Sequence, residues 1–528
     1  MQRHQGPRAR QTRIVATIGR SGDTDFPTFL TKLCDAGVDV LRLNMSHADP
    51  DYAKERQILA WANQPPELLQ APRVAVMADL QGPKCRIGKL PCDPLALVEG
   101  GTVLLVSDAK PMPDSALPLV PVPEPVAGLL YAGLQKFLAD HPGARPTILF
   151  GDGDLSVEVA ALTPLGIEVV VTAGGNLGSK KGLTVREIDL DLDPFPAKDQ
   201  SDLQFCLEQG VDFVALSFVR TPKDLDRVRA FVMAHLPAGQ TAPGLIAKIE
   251  TLAAVRDIEA ILEASDGIMV ARGDLGLQLG FEEVPAVQKQ LVIAARRHGK
   301  PCIVATQMLE SMITLPLPTR AEATDVFNAI LDGGDAVMLS GETSVGTRPF
   351  KVVETMDQIA RKAETYRQNE RRRRGPTPLP PPHELAYIDR INVGFAQTAA
   401  QFAESLPAFA IACFTRTGRT PERVSRYRPS VPILTFCSNP RAARKCLLYW
   451  GVHPIHTGDL PAQNNRLGQV GNLGFKVLRE RYGMQPGDAL VVTAGVDWPR
   501  GGTNALQVMI EDHGRAQQAM EDADSESR

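Results

Sequence analysis

The sequence predicts an α/β protein: a (β/α)8 TIM barrel with an inserted β-barrel lid domain and a C-terminal α/β domain. Three observations predict it. Apolar runs recur at residues 13–18, 38–44, 73–80, 213–218, 245–250, 267–272, 302–307 and 336–341, and near-continuous apolar character marks strands covered on both faces. Most are separated by amphipathic segments of helix length, clearest at 224–235 and 284–298. Strand alternating with helix implies a parallel sheet, and eight repeats imply a closed barrel. Polar residues also gather at the C-terminal end of the runs: Arg42 and Asn44, Asp79, Ser217, Lys248 and Glu250, Asp274, Thr306, then Ser340 and Glu342. That rim is where such barrels carry their chemistry.

Along the chain, residues 1–11 read as an N-terminal tail, and 12–88 with 191–360 as the barrel. The barrel pattern is interrupted once, between its third and fourth strands, by far more chain than a normal connection needs. The insertion at 89–190 has its own short β runs at 102–106, 147–150, 156–160 and 167–171, with Gly and Pro between them. Placed above the rim, it would act as a water-excluding lid or be a passive decoration. Residues 174–182 (GGNLGSKKG) favour the lid. Glycines allow close backbone approach, and Lys180 and Lys181 offer charge to phosphates, although a solvated basic turn has the same composition.

After the barrel, the arginine run 371–374 and the Pro-rich 375–382 read as a semi-rigid linker over 361–382. A smaller α/β domain follows at 383–511, with a helix at 391–404 and strands at 408–414, 431–436 and 489–493; the polar 512–528 is expected to be a disordered tail. One loop stands out, TRTGRT at 415–420, between a strand and a helix expected at 421–428. Hydroxyls, a glycine and arginines at a helix N-terminus suit an anion. Thr420 and Pro421 fit equally as an N-cap and first helical residue. A second loop, WPRGGTN at 498–504, would close over the same anion, far from the barrel rim and hence regulatory.

The rim carries the chemistry. In an extended strand residues two apart share a face, so Lys248 and Glu250 project together, and Asp274 ends the next run at a comparable height. Buried charges are costly unless paired or bound to a metal. One cation with two carboxylates suggests a divalent-metal site beside a positive charge, suited to a phosphorylated or enolate-forming substrate. The alternative is a structural ion pair between Lys248 and Glu250.

Composition excludes other classes. A net charge of −4 gives no argument for nucleic acid. No apolar run approaches about 18 residues, so no membrane partner is expected, and the Arg-rich start lacks the apolar core of a signal peptide. The 8 cysteines show no C-x-x-C pairing or zinc spacing; they read as reduced thiols of a cytoplasmic protein. Neither a P-loop nor a Rossmann glycine turn is present, so any nucleotide is held by other means.

From about residue 12 to 510 the chain resembles the pyruvate kinase family. The matching motifs are TRIVATIG at 12–19, RLNMSH at 42–47, DLQGPKCRIG at 79–88, LGSKKG at 177–182, SDGIMVARGDLG at 265–276, ATQMLESM at 305–312, PTRAEATDV at 318–326 and SGET at 340–343. The resemblance implies transfer of phosphate from phosphoenolpyruvate to ADP, giving pyruvate and ATP, by a homotetramer activated by a phosphorylated effector. It implies Mg²⁺ held by Glu250 and Asp274, with Mn²⁺ able to substitute. Lys248 corresponds to the lysine that stabilises charge on phosphoryl group and enolate. Arg42 and Arg86 match phosphate-binding positions, and the N–H groups around Gly273 and Asp274 match the cradle of the substrate carboxylate. Thr306 and Ser340 sit where the family keeps its proton relay, through ordered water because neither hydroxyl is acidic enough. His47, Lys180, Asn44 and Asp152 resemble nucleotide-side contacts; the candidate effector-phosphate residues of the 415–420 loop are Thr415, Thr417, Gly418, Arg419 and Thr420.

The chain departs from the family pattern at Arg20-Ser21 in place of Pro-Ala, at 183–187 (LTVRE) after the lid lysines, and at 151–155 (GDGDL). A further set concerns K⁺. Family members that need K⁺ carry Thr-Lys, Glu and Thr where this chain has Leu80-Gln81, Lys84 and Ile87. The set here resembles the class that works without K⁺, in which a lysine supplies the unit charge permanently. Asn44, Ser46 and Asp79 nonetheless still offer the oxygens that bind K⁺ in the other class. Two rival readings are a lyase with a Glu/Asp metal site on a related barrel, and a non-catalytic effector-sensing relative. The inserted lid argues against the first and the intact rim against the second.

Overall fold

Eight of the apolar runs become the eight strands of a closed parallel barrel in a computed structural model of the chain. The structure describes residues 10–19, 25–109, 111–186, 188–374, 379, 387–406, 408–458, 466–495 and 503–511. The strands are β1 (Arg13–Thr17), β2 (Val40–Asn44), β3 (Ala75–Asp79), β4 (Phe213–Leu216), β5 (Gly244–Ile249), β6 (Gly267–Ala271), β7 (Cys302–Ala305) and β8 (Ala336–Leu339), each hydrogen-bonded to the next and β8 to β1. Alternate residues face two ways. Ile14, Leu41, Val76 and Val214 pack against the outer helices, while Val15, Met77, Phe213, Ile246, Met269 and Ile303 fill the interior. Both faces are therefore buried, which is why the runs lack a polar alternation.

The two clearest helices form as the periodicity predicts. Pro222–His235 starts behind a capping box between Thr221 and Asp224 with Pro at its first turn. Val284–His298 ends at Gly299, whose φ of 71° releases the chain toward β7.

The insertion is a six-stranded sheet in the order Leu183–Val185, Thr147–Phe150, Leu155–Thr163, Gly166–Ala173, Thr102–Ser107, Leu119–Val122, beside a two-stranded ribbon. Its hydrogen-bond ladder has two ends, so the expected β-barrel is not a closed ring. It also holds a helix, Val126–Asp140, which the sequence reading missed although Leu130 and Leu134 make a buried i, i+4 stripe. The C-terminal sheet comprises β9 (Ala408–Thr415), β10 (Ile433–Cys437), β11 (Val452–His456), β12 (Ala489–Ala494) and β13 (Ala505–Ile510), ordered β11-β10-β9-β12-β13 with the last pair antiparallel. Leu448, Tyr449 and Ala442 of this domain join the apolar cluster that fills the barrel interior, so the domain is packed on the barrel rather than tethered to it.

Two boundaries differ from expectation. The segment read as a linker from 361 is helical to 374, within Pro349–Arg374. Val352, Val353, Met356, Ala360 and Ala363 bury one face of that helix, and arginine is itself a good helix former. Arg371 donates to the Arg428 carbonyl and pairs with Glu404 at 3.4 Å, so the arginine run belongs to packed structure. The remainder of the expected linker, apart from residue 379, lies outside the described residues, as do 1–9 and the tail 512–528.

The second is at the N-terminus, where Arg10 and Gln11, read as tail, are buried. The Arg10 guanidinium donates to Asp39 at 2.9 Å, to Asp357 at 2.8 Å and to the Gly37 carbonyl at 2.6 Å. Asp39 in turn accepts the Ile14 N–H at 2.9 Å, which ties the arginine to the start of β1. Removing one partner of a buried pair leaves the other uncompensated. Arg10→Ala is therefore expected to lower unfolding stability by about 3–5 kcal/mol, read from the midpoint in a denaturant titration; an unchanged midpoint would refute this account of the N-terminus.

Candidate active site

The C-terminal ends of β2, β3 and β5 bring four charged side chains into one buried group. The Lys248 ammonium lies 2.9 Å from Glu250 Oε1, 3.2 Å from Asp79 Oδ1 and 2.6 Å from the Ser217 hydroxyl. Arg42 donates to Asp79 Oδ2 at 2.7 Å and to Thr17 Oγ1 at 2.8 Å, and Thr17 passes its own proton to the Leu339 carbonyl. Asp79 is thus engaged at both oxygens by fixed cations. Burial disfavours its charge, but Arg42 and Lys248 outweigh burial and hold its pKa below the ordinary carboxylate value. Burial likewise disfavours the ammonium of Lys248, and Asp79 and Glu250 overcome it, so Lys248 stays charged well beyond the ordinary lysine range. Glu250 moves the other way: burial raises its pKa, Lys248 only partly offsets this, and Asp274 adds to it.

The backbone between strands and helices is strained where it aims these groups. Phe218, just after β4, has φ 53°, a left-handed conformation rare for an aromatic residue. It directs the Phe218 N–H to Glu250 Oε2 at 2.7 Å. Thr306 and Gln307, after β7, have φ 70° and 51°. Thr306 Oγ1 donates to the Ala305 carbonyl at 2.7 Å and accepts the Gly273 N–H at 2.8 Å. The Gly273 amide, expected to face a substrate carboxylate, is therefore already satisfied, and binding there requires the Thr306 hydroxyl to turn away.

The hinge into the lid follows β3. Ser217 donates to the Leu80 carbonyl at 2.6 Å, Gly82 (φ 70°) donates to Asp199 Oδ2 at 2.8 Å, and Lys84 N–H closes onto the Gly82 carbonyl at 2.9 Å. Beyond the hinge, a solvent-open cleft lies between lid and rim, lined by Lys84, Asp152, Gly182, Thr251, Asp274 and Leu277 among others. Lys84, Asp152 and Asp274 thus share one space. Arg86 is exposed and reaches across the hinge to the Lys180 carbonyl at 3.1 Å, apart from the buried group; Lys180 itself is exposed with φ 62°. Asn44 caps the short turn Met45–His47 by accepting the Ser46 N–H at 3.2 Å, and His47 is exposed at its end. Ser340 is held by its N–H, donated to Glu342 Oε2 at 2.6 Å.

Among the described residues no group of three or more His, Cys, Asp or Glu is placed to hold a metal ion by itself. Two carboxylates remain, Glu250 and Asp274. Glu250 Oε1 is buried and faces the Lys248 ammonium at 2.9 Å with no other partner. A buried carboxylate oxygen with spare lone pairs beside a second carboxylate fits a hard cation that draws its other ligands from substrate and water.

Three contributors escaped the sequence reading. Arg272 is buried and donates to the Ala305 and Thr306 carbonyls at 3.2 and 2.6 Å and to Asp325 at 2.7 Å, which holds the strained turn after β7. Its signal was a charge at the end of an apolar run. Thr17 and Asp199 carried none. Asp199, whose pKa is pushed up to about 6 chiefly by burial, is brought to Gly82 only by the fold.

In the C-terminal domain the helix after β9 is Arg419–Ser425, two residues earlier than expected, with Gly418 (φ 92°) at its N-cap. Thr415 Oγ1 is turned inward, accepting the Gly418 N–H at 2.8 Å, while Thr417 and Arg419 are exposed. The Thr420 and Thr503 hydroxyls meet at 3.0 Å, so the end of the second glycine-rich loop does reach the first. Residues 496–502 and Arg20-Ser21 lie outside the described residues.

Known proteins match this chain over nearly its whole length. A model of the pyruvate kinase barrel domain matches residues 9–353, and one of the pyruvate kinase alpha/beta domain matches 395–509. A Synechocystis sp. protein named pyruvate kinase 2 is 39% identical over 512 residues, covering 96% of this chain and 80% of that protein. A pyruvate kinase of Agrobacterium vitis is 37% identical over 508 residues, covering 95% of this chain and 96% of that protein. The crystal structure of a pyruvate kinase from Cryptosporidium parvum superposes with a TM-score of 0.81 at 30% identity, over 95% of this chain and 96% of the other.

Proposed function

The chain belongs to the pyruvate kinase family, a family of phosphotransferases, and from that premise we propose the part each rim residue plays in moving phosphate from phosphoenolpyruvate to ADP. The observation that carries the reading is the buried Lys248–Asp79–Arg42–Glu250 group at the end of the barrel that opens onto the lid cleft. Phosphoryl transfer asks for positioning and charge neutralisation more than covalent catalysis. Lys248 supplies a permanently charged ammonium, set by Asp79 and Ser217, against the transferring phosphoryl group and the enolate left behind. Arg42 holds Asp79 from the other side and offers its second face to phosphate.

Glu250 and Asp274 hold a divalent ion, Mg²⁺ or Mn²⁺, which when bound neutralises charge on substrate carboxylate and phosphate. Thr306, freed from Gly273 as the substrate carboxylate binds, and Ser340 lead a proton through water to the enolate carbon. Arg86 offers its guanidinium to phosphate from the lid hinge, and Lys180, Asp152, Asn44 and His47 face the nucleotide side. Assembly as a homotetramer and cytoplasmic residence belong to the same reading. Lys248→Met should remain folded and lose turnover by about three orders of magnitude, checked in a coupled assay of pyruvate formation; retention of more than about a tenth of the activity would remove Lys248 from the mechanism.

Activation by a phosphorylated metabolite at Thr415–Thr420 is supported by the exposed Thr417 and Arg419 and by the contact of the two loops at Thr420 and Thr503. Such an effector shifts the enzyme between two states of different affinity. Thr417→Ala with Arg419→Ala is expected to abolish activation by sugar phosphates or a nucleoside monophosphate and to leave the activated turnover little changed. A double variant that responds like the parent would place the effector elsewhere.

Independence from K⁺ has its own support. Each oxygen of Asp79 already faces Arg42 or Lys248, and Asn44 Oδ1 accepts the Ser46 N–H. Lys84 adds a positive charge to the cleft that Asp274 lines. Exchange of a glutamate for a lysine moves the local balance by two charges, which opposes a bound monovalent cation by Coulomb repulsion. Full activity is expected with Mg²⁺ and only tetramethylammonium as monovalent cation, and acquired K⁺ dependence in Lys84→Glu. Activation of the parent beyond about tenfold by K⁺, roughly 1.4 kcal/mol of transition-state stabilisation, would show that the lysine does not replace the ion.

A further inference from the structure

At the opposite end of the barrel, the C-terminal helix Arg419–Ser425 packs against the turn that follows Val284–His298. Between them is a small cleft lined by Arg296, Lys300, Arg426, Arg428, Asp335 and Glu422, with Tyr449 and Ser425 beside them. Four cations there face two carboxylates, and Asp335 is already taken by Arg428 at 2.9 Å. The Nε–H groups of Arg296, Arg426 and Arg428 are buried without an acceptor. Arg296 otherwise donates to the Arg426 carbonyl at 3.4 Å, and Arg426 to the Arg297 carbonyl, both neutral. Arg367, from Pro349–Arg374, adds a further, half-buried guanidinium next to Arg428, stacked over Trp450.

Crowding of this kind is costly. A buried donor left without a partner loses about 1–3 kcal/mol, more when charged, and unpaired buried charge is worse. Burial, then Arg428 and Arg367, push the Arg296 pKa down to about 9, and burial followed by Arg428 pushes Arg367 down to about 10. We propose that this cleft binds an oxyanion of the phosphate class, which clasps the C-terminal domain to the barrel. Planar guanidinium forks match its several oxygens. The cleft is too small for a whole nucleotide, so the ligand is a free inorganic ion or the phosphate end of a metabolite, seated as the arginine side chains part. Asp335 immediately precedes β8, so the site lies at the end of the barrel away from Lys248. It also lies at the far end of Arg419–Ser425 from Thr417.

Glu422 gives the site a pH dependence. Burial raises its pKa to about 7 against Lys300, Arg423 and Arg419, with Asp266 adding to the rise; Arg296, Arg426, Arg428, Asp335 and Tyr449 complete the lining. Below that value the carboxyl is neutral and the positive excess larger, so the anion binds more tightly at pH 6 than at pH 8.

The test uses the full chain in a buffer free of phosphate and sulfate, with thermal unfolding and titration calorimetry. Sulfate, whose charge is constant from pH 6 to 8, inorganic phosphate and glycerol 3-phosphate are compared with chloride at equal ionic strength. One oxyanion per chain should bind and raise the unfolding midpoint by about 2 °C or more beyond chloride, with sulfate tighter at pH 6. Arg296→Gln should weaken sulfate by about tenfold or more and, in oxyanion-free buffer, unfold no earlier than the parent, because it removes an unpaired buried cation; Arg426→Gln provides a second variant. Binding of glycerol 3-phosphate as tight as phosphate assigns the site to a metabolite's phosphate end, and binding of phosphate alone to the free ion. Equal midpoint shifts in parent and both variants, no saturable binding, or loss of binding in the Thr417→Ala/Arg419→Ala protein would overturn the proposal.

Discussion

The rim of the barrel is organised around one constraint: the Lys248 ammonium is out of water and must be kept charged. An isolated lysine so placed would surrender its proton. Asp79 and Glu250 prevent this by bracketing the nitrogen at 3.2 and 2.9 Å. Each of those carboxylates then needs its own support, and the surrounding structure supplies it. Arg42 completes Asp79, and the strained Phe218 turn delivers an N–H to Glu250. Ser217 links the lysine to the Leu80 carbonyl and so to the hinge of the lid. Charge at the chemical centre and geometry at the hinge are parts of one hydrogen-bonded network, in which the loss of a single member leaves a buried charge uncompensated.

The same economy leaves neither oxygen of Asp79 without a fixed cation. Where a rim carboxylate is shared between an arginine and a lysine, an added monovalent ion competes with two covalently attached charges. Lys84 extends that positive field into the cleft. The carboxylates left for a divalent ion are Glu250 and Asp274, and Asp274 adds to the cost of charge on Glu250. A metal with substrate oxygens in its shell would offset that cost.

Buried charge recurs away from the chemistry, with different solutions. Arg10 is balanced by Asp39 and Asp357 and anchors the start of the barrel to its last long helix. Where the two domains meet, by contrast, Arg296, Arg426 and Arg428 outnumber their carboxylate partners. One cluster is complete within the chain and the other is left open to a solute, which is the difference between a structural ion pair and a binding site.

Much of this was legible before any coordinates. Eight apolar runs and the polar residues closing them determine the barrel and its active rim, because burial on both faces removes alternation and strand ends alone can expose charge. Lys248 and Glu250 share a face by the two-residue period of a strand, and Asp274 is placed by the next repeat. Tertiary structure decided the rest. Asp79 joins Lys248, and Asp199 joins Gly82, across separations of more than a hundred positions that no local period encodes. The helix through residues 361–374 and the burial of Arg10 depended on surfaces supplied by distant strands and helices. The closing of Gly273 by Thr306 and the crowding of arginines between domains, their Nε–H groups without acceptors, are likewise set by elements far apart in the chain. A sequence displays which residues repeat along an element; which buried charges find partners is settled only when the elements pack.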